Sequence, residues 1–181
     1  AHGATFLLAV TDDVDTETRA DEDRWVAALE WCDSLGADLV SSSLVYNEFD
    51  TVEESYTKAQ MDGRSSMVAR AADIAVLRGM AVVNSAGNEG ETDWRIITTP
   101  GDAEYAITVG AVGGFTLGTP YLAPFSSVGP TADGRIKPDV VAPGEDVSVP
   151  ALGFDGYFFE RSGTSFSAPL VSGLCALLLE E

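Results

Sequence analysis

Strand-length apolar runs alternate with helical stretches from residue 5 to residue 112, and this alternation restricts the available folds more than any other feature of the chain. Residues 5–10 and 39–45 read as strands. Between them, over residues 22–35, Trp25, Leu29, Cys32 and Leu35 recur at three-to-four spacing, and Gly36 stands where a left-handed residue would close a helix. A second helix is predicted over residues 64–77, with Met67, Ala71, Ile74 and Leu77 turned inward and Gly79 ending it before a strand over residues 80–86. Strands joined through helices run parallel, with right-handed crossovers. Further strands are expected at 106–112 and 139–141, and 147–149 with 157–160 reads as a hairpin around Gly153 and Gly156. The expected class is α/β with a mainly parallel sheet. A chain of 181 residues, 45% of them hydrophobic, can bury the core of one such domain.

Open sheets of this kind hold their ligands at the carboxyl ends of the strands. Two motifs fall near such ends. Gly163-Thr164-Ser165-Phe166-Ser167-Ala168-Pro169 leads into an apolar segment, residues 170–179, and presents the Ser165 hydroxyl at a helix start, where free N–H groups and the helix dipole favour a developing oxyanion. Pro169 is compatible with a first helical turn. Taken alone, Ser165 also reads as a helix N-cap. The strand over residues 80–86 runs into Gly87-Asn88-Glu89-Gly90, where Asn88 offers an amide that donates without titrating. An asparagine beside glycine is also an ordinary turn residue.

The two motifs occur in order, separated by Phe125-Ser126-Ser127-Val128-Gly129-Pro130 and by Lys137-Pro138-Asp139-Val140-Val141-Ala142-Pro143-Gly144. Together they closely resemble the subtilase, or subtilisin-like, serine peptidase family. The resemblance implies a three-layer α/β/α fold, with residues 1–181 forming the later portion of one catalytic domain truncated at both ends. It implies a serine endopeptidase in which Ser165 is the nucleophile and Asn88 an oxyanion-hole donor. A polypeptide substrate would lie extended along Ser43, Leu44 and Val45, and its P1 side chain would enter between that strand and Ser85, Ala86 and Gly87. Where Val45 stands the family commonly has glycine, so the P1 preference stays open. Thr99-Pro100-Gly101 resembles the turn beside the specificity pocket, where the family often has a cis-proline. Extracellular or cell-envelope location and a structural calcium ion also come with the resemblance.

A serine hydroxyl needs an adjacent base held by a third group. The family's aspartate strand and its histidine helix would both precede residue 1, and the sole histidine, His2, stands before the strand that follows that helix. His2 is therefore read as a solvated residue and no triad acid is nominated, so the isolated chain is expected to be inactive. The acid-bearing strand would lie between residues 5–10 and 39–45, and its absence predicts a perturbed edge there, or self-association through it. The alternative is a non-catalytic peptide-binding pseudoprotease module. An α/β-hydrolase esterase fits poorly, because Ser167 occupies the last position of G-x-S-x-G and no histidine follows His2.

A net charge of −19 leaves no basic patch for nucleic acid or an anionic membrane, and no apolar run of the ~18 residues that span a bilayer occurs. Asp12, Asp13 and Asp15 carry oxygens suited to calcium, but read as loop solvation, and no metal residues are assigned. Cys32 and Cys175, both in apolar helical patterns, read as buried free thiols.

Overall fold

The computed structural model describes residues 3–114, 118–151, 153 and 156–180. Three helices, α1 (Arg19–Ser34), α2 (Met67–Leu77) and α3 (Thr164–Leu179), flank a sheet built on β1 (Leu39–Ser42), β2 (Ala81–Ser85), β3 (Ile107–Gly113) and β5 (Val140–Pro143). These strands pair in parallel in the order β1-β2-β3-β5, and a short β4 (Tyr121–Leu122) adds antiparallel to the end of β3. The α/β class and the mainly parallel sheet are as expected. A separate hairpin, β6 (Val147–Pro150) with β7 (Phe158–Arg161), leads into α3 as the glycine spacing predicted.

Side-chain alternation along β2 divides the core into two layers. Val82 joins the cluster under α1 and α2, with Trp25, Leu29, Val68, Ala72 and Met61, while Val83 faces α3 with Val109, Ala142 and Ala168. The α2 stripe is rotated from expectation. Val68, Ala69, Ala72 and Ala75 are its buried residues, whereas Ile74 and Leu77 are exposed and Met67 and Ala71 half-buried. Small side chains let the helix lie close to the sheet, while Met67 and Ile74 line a groove beside α1 shared with Val26 and Leu29. In α1, Trp25 and Leu29 are buried as predicted, but Cys32 is half-buried and Leu35, beyond the last turn, is exposed. Cys32 and Cys175 are both free and half-buried rather than buried. Burial raises the Cys32 thiol pKa.

The edge beyond β1 departs most from the sequence reading. Residues 4–10 belong to no strand, and β1 stops at Ser42 instead of Val45. Phe6, Leu8 and Val10 are 73%, 86% and 94% exposed. Between this segment and β1 runs a groove of about 1230 Å³, lined by Leu29 and Cys32 from α1 and by Ser172 and Ala176 from α3. It therefore lies beside the edge of the sheet, and among the described residues no strand pairs with the outer edge of β1. An extended run becomes a strand only when a neighbour completes its ladder, which explains why apolar alternation alone misread residues 5–10. His2 lies outside the described residues.

Candidate active site

Asn88, in the turn after β2, is bonded to the start of α3, one residue before Ser165. Asn88 Oδ1 accepts from the Thr164 N–H at 2.8 Å and from Thr164 Oγ1 at 3.1 Å. With its oxygen taken by two donors, the amide must direct Nδ2 to the other side, and Asn88 is exposed. Thr164 is the first residue of α3 and Ser165 the second, so the residue that clamps Asn88 immediately precedes the half-buried serine. The sequence motif alone assigns Thr164 no role. A hydroxyl directly before Ser165 at a helix start was the available signal.

Backbone constraints set this corner. Gly163 caps α3 at φ 154°, a conformation L side chains rarely adopt, and its N–H donates to Gly144 O at 2.7 Å. A Cβ at Gly90 would stand 2.3 Å from Pro124 O and 2.5 Å from Ser126 O, so only glycine lets the Asn88 turn approach the segment over residues 124–128. That segment holds the turn: the Glu89 N–H donates to Ser127 Oγ at 3.0 Å, Ser127 N–H to Gly87 O at 3.0 Å and Gly90 N–H to Phe125 O at 2.8 Å. The Lys137-Pro138-Asp139 motif works at the other end of β3. Buried Lys137 donates to Ala106 O at 2.8 Å and to Asp139 Oδ2 at 2.6 Å, and the same carboxylate accepts the Thr108 N–H at 2.8 Å.

Pro169 sits not in the first turn of α3 but at its sixth residue. Behind it, Ser167 Oγ donates to Ala142 O at 3.1 Å and Ser172 Oγ to Ser41 Oγ at 2.7 Å, fastening α3 across β5 and β1.

The parallel register places Ser42 opposite Asn84, so Ser43, Leu44 and Val45 run beyond the ladder beside Ser85, Ala86 and Gly87. Asn84 Nδ2 donates to Leu44 O at 3.3 Å across the gap. The turn over residues 98–102 links both sides: Thr98 N–H donates to Ala86 O at 3.2 Å and Tyr46 N–H to Thr99 O at 2.8 Å. The Thr99-Pro100 peptide is cis. Under the turn lies fully buried Asp102, whose Oδ2 accepts the Gly63 N–H at 2.7 Å while its carbonyl takes Arg135 Nη2 at 2.7 Å. Burial pushes its carboxyl above the ordinary value, against the pull of the Gly63 N–H and of Arg135. Neither Asp102 nor Arg135 stands out in the sequence, because a side-chain bond to a backbone carbonyl 33 residues away has no local signature.

The model of the subtilase family, peptidase S8, matches residues 11–181. The chain belongs to the subtilase family. It is 35% identical over 127 residues to the serine protease AprX of Bacillus subtilis, covering 62% of this chain and 28% of that protein. Against pyrolysin of Pyrococcus furiosus it is 35% identical over 179 residues, covering 85% of this chain and 12% of that protein. Among solved structures, the prenylagaramide maturation protease PagA superposes with a TM-score of 0.64 at 24% identity, over 88% of this chain and 49% of that one, a likeness of fold. The chain thus spans little more than a quarter of the length of AprX, and less of pyrolysin. What the matches establish is membership of the family and the subtilisin-like α/β fold.

The carboxylates of the acidic loop bond within the protein. Asp12 Oδ1 accepts from Tyr46 Oη at 3.0 Å and Asp13 Oδ1 from the Asp15 N–H at 3.1 Å, and no group of three or more metal-binding side chains gathers among the described residues. Beside Asp12, burial and the carboxylate push the Tyr46 phenol upward. No helix among the described residues is long and apolar enough to cross a membrane.

Proposed function

We propose that this chain carries the nucleophile and oxyanion corner of a subtilisin-type serine endopeptidase. The carrying observation is the Asn88–Thr164 clamp, which fixes the Asn88 side chain beside the residue that precedes Ser165 and leaves its Nδ2 without a partner in the clamp. In this reading Ser165 Oγ attacks the scissile carbonyl carbon and gives its proton to a histidine from outside residues 1–181. The oxyanion takes hydrogen bonds from Asn88 Nδ2 and the Ser165 N–H, one of the helix-start donors without an intrahelical partner. Collapse breaks the C–N bond, the amine leaves with that proton, and water then releases the acyl group from Ser165. The peptide lies along Ser43, Leu44 and Val45, with its P1 side chain between them and Ser85, Ala86 and Gly87.

The groove between residues 4–10 and β1 supports placing the acid-bearing strand there, as the family resemblance implies. Residues 1–181 are then part of one catalytic domain, and alone they turn over negligibly. Left open, the same edge is the surface through which copies would self-associate. Secretion or a cell-envelope location suits such a peptidase. A fluorophosphonate that modifies activated serines tests the reading. The full-length protein should label at Ser165 and lose labelling in Ser165→Ala, while residues 1–181 alone stay unlabelled. A full-length protein that binds peptide yet never labels would be a non-catalytic module.

A further inference from the structure

In an α-helix the carbonyl of residue i accepts from the N–H of residue i+4. For Ser165 that residue is Pro169, which has no N–H. The Ser165 carbonyl is thus released from the helical ladder one residue into α3. Ser43 takes the vacant role: its Oγ donates to Ser165 O at 3.0 Å, across 122 residues of sequence. Its direction follows from strand alternation. Ser41 Oγ meets Ser172 of α3, Ser42 Oγ takes the Trp25 indole N–H of α1 at 3.0 Å, and Ser43 turns back to α3.

We propose that Ser43 is a positioning residue for the nucleophile, tying the Ser165 peptide, through the carbonyl that Pro169 leaves free, to the strand that receives the substrate. The inference rests on Ser165 being the nucleophile. The hydroxyl touches no reacting atom. It acts through the backbone that carries Ser165 Oγ, where a misplacement of about 1 Å can cost roughly 10²-fold in rate. It also makes one residue serve both sides of the reaction, since Ser43 belongs to the cleft-lining stretch beyond β1 and holds the serine that attacks across it.

The test uses the full-length protein, with peptide hydrolysis, fluorophosphonate labelling rate and thermal midpoint measured for the parent, Ser43→Ala, Pro169→Ala and the double variant. Ser43→Ala should lower kcat and the labelling rate about tenfold, the rate equivalent of one hydrogen bond, with KM changed less than about twofold. Pro169→Ala supplies an N–H to Ser165 O, so adding Ser43→Ala in that background should cost less than about threefold. An equal loss in both backgrounds, or a loss confined to KM, would overturn the proposal. A parent protein that neither cleaves nor labels would instead remove the reading of Ser165, and this inference with it.

Discussion

The two sides of the sheet differ sharply in how complete they are. At the corner of β2 and α3, Asn88, Thr164, Ser127 and Gly90 interlock through short hydrogen bonds and backbone approaches that exclude a Cβ. At the edge beyond β1, residues 4–10 lie outside every ladder, with the side chains of Phe6, Leu8 and Val10 in solvent. The corner is assembled from the turn after β2, the segment over residues 124–128 and the start of α3, so its geometry is specified within the chain. The edge offers a groove and, among the described residues, no strand paired with the outer edge of β1, and its order depends on whatever occupies the groove. A subtilase chain can therefore hold an interlocked turn at the start of α3 beside an open sheet edge.

The largest expected effect breaks the corner chemically. In the active full-length protein, Ser165→Ala should lower kcat by about 10⁶-fold, the loss typical of removing a serine nucleophile. Asn88→Ala should come next, at about 10²–10³-fold in kcat with little change in KM, because the amide acts on the oxyanion and not on the bound peptide. Steady-state kinetics on a peptide ester and amide would check both.

Stability measurements sharpen the contrast between core and edge. Met61→Ala, at a fully buried site, should destabilise residues 1–181 by about 2–5 kcal/mol. Leu8→Ala, 86% exposed, should stay within about 0.5 kcal/mol. Urea unfolding of both variants reads the difference, and similar costs would mean that the edge is packed.

The smallest effect concerns Asp102. Its carboxyl is raised in the folded state, so the native form holds the proton more tightly. The contribution is fully present below the ordinary value of 3.8 and is lost as pH rises through the raised value. Asp102→Asn keeps an acceptor for the Gly63 N–H and removes the charge. Across that window, thermal midpoints of the parent should fall relative to those of the variant as pH rises.

The parts legible in the sequence were those with local signatures. Glycines at 87, 90 and 163 mark required backbone conformations or close approaches, so the turn of Asn88 and the mount of Ser165 could be placed from motif alone. Elements lacking such punctuation were misjudged. The α2 stripe was assigned to large side chains, while packing selected the alanine face, because a helix pressed on a sheet gains more from close approach than from bulk. Asp102, Arg135 and the Ser43–Ser165 bond were invisible because their partners lie 33 to 122 residues apart.

The most direct test of the corner is a crystal structure of the full-length protein with a peptide boronate. The account predicts a boron bond to Ser165 Oγ and one boronate oxygen about 2.7–3.1 Å from both Asn88 Nδ2 and the Ser165 N–H, with the Asn88–Thr164 clamp intact. A boronate bound elsewhere, or an Asn88 amide turned away from that oxygen, would contradict it.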